Sequence, residues 1–253
     1  MTGSHIVKSF DKDLKRLDNI IAEMGGLAEI ALASSIEAMI KRDRNKAQNV
    51  IDGDKRIDEL EQRIDDLAIS MLALRQPMAE DLRIVITALR TASIIERIGD
   101  YAKNIAKRTI ALTQAPPTGP SRTIARMGTL VQGMIKDVLD AYAQRDGDKA
   151  EIVRDSDEEV DELHTSLFRE LLTYMMEDPR HITSSAHLLF IAKNIERMGD
   201  HATNIAENVY FLVHGHMPED KRAKGDTSSF TVLAPPDSLD EIEQLTIIQD
   251  DES

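Results

Sequence analysis

One phrase of this chain is written twice: ERIGDYAKNIA at residues 96–106 returns as ERMGDHATNIA at 196–206, one hundred positions later. Over the thirteen positions of 96–108 and 196–208, eight are identical. A second block lies upstream of each copy, where VIDGDKRIDEL at 50–60 matches VRDSDEEVDEL at 153–163 with six of eleven identities at an offset of 103. Arg42-Asp43 against Arg145-Asp146, and Met24-Gly25 against Met127-Gly128, keep that second offset. The register shifts from 103 to 100 near Pro77 and Pro179, as loops of unequal length require. A chain duplicated in tandem folds each copy the same way, and residues that both copies keep are those that both copies need.

Each copy divides into three helical stretches. In the first they fall near 11–42, 45–74 and 79–112, in the second near 122–145, 148–176 and 182–213. Val160, Leu163, Leu167, Leu171 and Tyr174 recur at helical spacing as one apolar stripe. Asp43 and Asp146 stand where they cap the second helix of each set. No segment alternates at period two, so strands are not expected. Between the copies, three prolines and a glycine in residues 113–121 cannot continue a helix. The expected fold is all-α, with two tandem three-helix bundles: a first repeat at 5–112, a Pro-rich linker at 113–121, a second repeat at 122–213, and an acidic, unstructured tail at 214–253.

Charge narrows the function. The net charge is −14, and the tail from residue 214 holds ten acidic and three basic side chains, which is −7 of it. That balance disfavours sequence-independent binding to nucleic acid, which needs a basic face. No run of eighteen apolar residues occurs, so no membrane span is expected. The chain has no cysteine, which rules out disulfides and thiolate ligands and fits a cytosolic protein.

The chemistry-bearing residues are carboxylates four apart. Such residues differ by about 40° around a helix, so Glu96, Asp100 and Asn104 share one arc, and Asp54 and Asp58 share another on the preceding helix. Like charges at that spacing repel, and a polyvalent cation removes the repulsion. Oxygen ligands suit Mg²⁺, Mn²⁺, Ca²⁺ or iron. Ordinary solvated acids are the plainer reading, and the duplication separates the two. Glu61–Asp65 and Glu158–Glu162 lose their pairing in the other copy, whereas Asp54–Asp58 and Glu96–Asp100 are kept as Asp157–Asp161 and Glu196–Asp200. Arg97 and Arg197 are kept too, and are an alternative source of positive charge. Gly99 and Gly199 each cost a helix about 1 kcal/mol relative to Ala, so something is expected to approach closely there.

These blocks resemble the PhoU family of phosphate-uptake regulators over residues 5–213. The residues that carry the likeness are the paired E(D)-x-x-x-D motifs, the flanking stretch from Ile95 to Ala106 and its second copy, Phe10 to Leu14, and Met24-Gly25. The resemblance implies multinuclear iron or zinc clusters, with magnesium or manganese as other occupants. One site would use Asp54, Asp58, Glu96 and Asp100, and the other Asp157, Asp161, Glu196 and Asp200, with Asn104 and Asn204 as further oxygen ligands. It also implies a cytoplasmic, homodimeric negative regulator of the phosphate-starvation response. Such a regulator is an adaptor between PstB, the ATPase of the phosphate transporter, and a sensor histidine kinase of the PhoR type, and meets the membrane only through these partners.

An enzymatic role is not expected. Di-iron oxidase bundles use Glu-x-x-His, but Gly99 and Gly199 stand three residues after Glu96 and Glu196. His201 answers to Tyr101, so no histidine is shared, and His181, His187, His214 and His216 read as surface or helix-end residues. A carboxylate-bridged metalloenzyme and a metal-free helical scaffold are the two alternatives.

Overall fold

The computed structural model of the chain describes residues 2–75, 77–116 and 119–219. Among them it forms eight α-helices and no strand: α1 (Thr2–Lys41), α2 (Arg44–Gly53), α3 (Lys55–Arg75), α4 (Glu80–Leu112), α5 (Ser121–Gln144), α6 (Gly147–Asp155), α7 (Asp157–Glu177) and α8 (Ile182–His214), with a 3₁₀ turn at Pro179–His181. The all-α tandem arrangement is therefore as expected. The acidic tail lies outside the described residues from position 220 onward.

One difference falls inside the second helix of each repeat, which is two helices rather than one. The first breaks at Asp54 and the second at Ser156. Gly53 is a weak helix former just before the first break. At the second, the Ser156 hydroxyl donates to the Val153 carbonyl at 2.7 Å, a local bond that competes with the helix ladder. The first break falls on the first carboxylate of a repeated motif, Asp54, and the second falls on the residue before its counterpart, Asp157.

The helix ends repeat from copy to copy. Asp43 accepts from the Lys46 backbone N–H at 2.9 Å, and Asp146 from that of Lys149 at 3.0 Å. Both acids are thus N-caps of the expected kind. The residues before them, Arg42 and Arg145, hold left-handed φ angles of 54° and 55°. A non-glycine residue in that region is disfavoured by about 1–2 kcal/mol. Side-chain bonds offset this: the Arg42 guanidinium donates to the Leu112 carbonyl at 2.6 Å, and that of Arg145 to Asp18 at 2.8 Å.

The two repeats share a single apolar core. Helices α1, α4, α5 and α8 form its centre, with α2 and α3 packed on one side and α6 and α7 on the other. By length and composition α1 from Phe10 to Lys41 could cross a membrane, contrary to the sequence expectation. Here it is a core helix, for Leu17, Ile21, Met24 and Leu32 are buried. α4 and α8 run antiparallel: Arg108 lies over the Phe190 ring and Arg90 over that of Phe211. They cross where Tyr101 stacks on His201, with ring centroids 5.5 Å apart. Those two residues are equivalents in the duplication, so the crossing lies on the pseudo-twofold axis. The same symmetry governs α1 and α5. A Cβ on Gly25 would lie 2.6 Å from Leu139 Cδ1, and one on Gly128 would lie 2.9 Å from Ile36 Cγ1. Positions 25 and 128, and 36 and 139, are equivalents, which explains why both Met-Gly pairs survive.

Gly25→Val and Gly128→Val should therefore destabilise by similar amounts, about 1–3 kcal/mol each, through overpacking of one seam. Urea midpoints of the two variants check this, and a loss confined to one would contradict the symmetric seam.

Candidate metal centre

In the first repeat the break after Gly53 sets Asp54 against α4, where its side chain is buried. The cation that meets it is Lys103, whose Nζ lies 2.5 Å from Asp54 Oδ2 and 3.2 Å from Asp100 Oδ1. The Lys103 ammonium is held well above its ordinary pKa, first by its hydrogen bond to Asp54. Asp58 is exposed at the rim, and its carboxyl is raised by partial desolvation and then by Asp54. Glu96 is pushed up to about 7, first by burial and then by Asp100, Glu61, Asp58 and Asp54. The four predicted acids thus share one electrostatic neighbourhood, and Glu61, set aside on the sequence because its pairing is not repeated, belongs to it.

The second repeat is more deeply sunk. Asp157, Asp161 and Glu196 are 2%, 3% and 5% exposed, where Asp58 and Glu96 keep contact with solvent. His164, one turn beyond Asp161 on α7, is also buried, at 3%. The position of Lys103 is taken by Thr203, which is buried and donates to the Asp200 carbonyl at 2.7 Å. Lys193, on the preceding turn of α8, pairs with Glu196 at 2.9 Å.

The two conserved glycines differ in what they admit. A Cβ on Gly99 would meet Ile57 Cδ1 at 2.8 Å, the free end of a side chain. A Cβ on Gly199 would stand 2.9 Å from Asp157 Oδ1. Asp54 Oδ1 lies 3.5 Å from the Gly99 Cβ position, so each glycine faces the first acid of its motif, and the carboxylate comes closer to the helix backbone in the second repeat. The asparagines are placed elsewhere: Asn104 lines a cleft between α4 and α8, and Asn204 is exposed, 3.5 Å from His201 Nδ1. Arg197 approaches the Tyr101 ring at 6.0 Å, and Arg97 acts on Glu61, whose carboxyl it pulls downward against the stronger effect of burial.

Among the described residues, no three Asp, Glu or His side chains converge on one point at metal-ligand spacing. The fit to a metal therefore differs between the repeats. Lys103 already bridges the first carboxylate pair. In the second, three buried carboxylates and an imidazole are the donor types that a divalent cation takes, and their burial strengthens their attraction for one. Lys103 and His164 escaped the sequence reading because the duplication test discards residues that differ between copies.

Two segments, 21–109 and 124–209, match the PhoU domain model. The chain belongs to the PhoU family. It is 49% identical over 230 residues to the phosphate-specific transport system accessory protein PhoU homolog of Rhizobium meliloti, covering 90% of this chain and 97% of that one. The corresponding Caulobacter vibrioides protein is 50% identical over 226 residues, 89% of this chain and 98% of its own. The crystal structure of PhoU from Pseudomonas aeruginosa superposes with a TM-score of 0.79 at 39% identity, covering 82% of this chain and all of that one.

Two outcomes follow. Gly99→Ala should be near neutral, because about 1 kcal/mol of helix propensity offsets a small shift of Ile57. Gly199→Ala should lose stability by on the order of 1–3 kcal/mol, because Asp157 must move. Denaturant titration of both variants separates them, and equal effects would contradict the close carboxylate approach. The second outcome concerns pH. Folded Glu96 keeps its proton up to about pH 7, whereas the unfolded chain loses it near 4.5. The folded state then binds the extra proton, so this residue's contribution is present below the unfolded pKa and is lost as pH rises through the window. Glu96→Gln should flatten the fall in stability across that window, measured by thermal melts in chelator, and an unchanged slope would contradict it.

Proposed function

We propose that this chain is a cytoplasmic, non-enzymatic negative regulator of phosphate uptake and of the phosphate-starvation response. It acts as a homodimeric adaptor between the ATPase of the phosphate transporter (PstB) and a PhoR-type sensor histidine kinase. The observation that carries this reading is near full-length identity of about half with accessory proteins of the phosphate-specific transport system. The build is consistent with it: two long antiparallel helices of 33 residues each make a stiff platform with exposed charged faces. Exposed Ile69, Leu74 and Met78, close in sequence around the end of α3, offer apolar area to a second copy or to a partner.

A cation belongs to this reading in the second repeat, held by Asp157, Asp161, Glu196 and Asp200. Its chemistry there would be neutralisation of crowded acid, tying α7 to α8; the protein supplies the burial, the glycine approach and the aim of the carboxylates. In the first repeat Asp54, Asp58, Glu96 and Asp100 need no metal while Lys103 is in place. The candidate ions are iron, zinc, magnesium and manganese.

A deletion strain should express phosphate-scavenging genes in high phosphate, and this chain supplied in trans should restore repression. Constitutive repression in the deletion strain would sink the regulatory reading. Metal content of the untagged protein should fall on replacing Asp157, Asp161, Glu196 and Asp200 by Ala, and rise on Lys103→Thr, which gives the first repeat the second repeat's residue. A protein that carries no metal in any of these forms would favour the metal-free scaffold.

A further inference from the structure

The cleft between α4 and α8 has a volume of about 540 Å³, and its walls are basic. Lys107 and Arg108 enter it from α4, and His187, Lys193 and Arg197 from α8. No Asp or Glu lines it. In a chain of net charge −14 this is a local reversal of sign. A pocket whose low-dielectric walls carry one sign of charge concentrates the opposite ion.

Its construction points the same way. The Arg108 guanidinium is held 3.9 Å from the centroid of the Phe190 ring, which fixes the orientation of its donors. Phe190 itself is 54% exposed, an unusual position for a phenyl ring, and so offers apolar surface at the mouth. Asn194, held by its donation to the Phe190 carbonyl at 2.7 Å, and Asn104 complete a polar wall. The Arg108 and His187 pKa values are both lowered, by burial first and, for His187, also by Arg108. The lowered pKa favours the neutral His187 imidazole, so the positive charge of the cleft comes from Lys107, Arg108, Arg197 and Lys193, the last of which also pairs with Glu196 at 2.9 Å.

The duplication supplies an independent control. Under the pseudo-twofold, Lys107 and Arg108 answer to Glu207 and Asn208, and His187, Phe190 and Lys193 answer to Thr87, Arg90 and Ser93. Helix packing in the other repeat is met without counterparts to Lys107, Arg108 and Lys193. Their convergence is thus a property of one side of the molecule, not a requirement of the fold.

We propose that this cleft binds a small phosphoryl-bearing anion. A guanidinium fork, lysine ammonium groups and amide donors match phosphate oxygens. The volume lies within the range of small-molecule pockets and exceeds what a lone orthophosphate fills, so it also accommodates a phosphorylated metabolite with an apolar portion against Phe190. The inference stands apart from the regulatory reading, because it concerns binding by the purified chain alone.

Calorimetric titration of the full chain at low salt tests it, with inorganic phosphate, pyrophosphate and ATP as separate probes and sulfate as the comparison. At least one phosphoryl probe should bind more tightly than sulfate. Strongest binding of inorganic phosphate identifies free phosphate as the ligand, and strongest binding of ATP a nucleotide. Lys107→Glu, a change at an exposed position to the residue found in the other repeat, should weaken binding about tenfold or more, as should Arg108→Gln. Glu207→Gln, at the equivalent position, should leave it unchanged. Absence of binding by all three probes, binding that sulfate reproduces in full, or affinity undiminished in Lys107→Glu would each overturn the assignment.

Discussion

The antiparallel crossing of α4 and α8 is the constraint on which the rest of the molecule depends. Tyr101 and His201 stack there on the pseudo-twofold axis, each at the centre of its own copy of the 96–106 and 196–206 phrase. Because the helices share one apolar core rather than two, the repeats cannot shift against each other without opening it. Packing at near-crystalline density makes such a core resist small deformations. Each motif is therefore presented from a rigid helix, to a partner helix that breaks just where its first acid must turn inward.

From this shared frame the two copies part ways. The first buries Asp54, leaves Asp58, Glu96 and Asp100 in contact with solvent, and bridges Asp54 and Asp100 through Lys103. The second buries Asp157, Asp161 and Glu196, sets Asp157 against the backbone at Gly199, and has Thr203 where the ammonium would be. Buried carboxylate demands positive charge more strongly than exposed carboxylate does. One duplicated motif thus yields two electrostatic settings. The α4–α8 cleft diverges in the same manner, basic on one side of the axis and mixed on the other.

Much of this was legible in advance because duplication works as an internal comparison. Six helical stretches, the caps at Asp43 and Asp146, and the two arcs, Asp54 with Asp58 and Glu96 with Asp100, could be read from spacing alone. The breaks at Asp54 and Ser156 could not, since weak helix formers interrupt a helix only where a side-chain bond or a packing demand exploits them. Lys103, His164 and Glu61 were hidden for the opposite reason: their counterparts differ, so a test that retains only shared residues passes them by. Asn104 shared the arc of the acids on a helical wheel, yet the approach of α8 drew it into a different cleft.

The amino-acid sequence by itself determined the helical class, the tandem copies and the acids that both copies keep, because helical periodicity and repetition are properties of order along the chain. Which acids are buried, which cation each of them meets, and where basic side chains gather are decided only by the tertiary structure. These depend on how α4 and α8 cross, and the strength of a charge's interactions is set by the water that packing removes from around it.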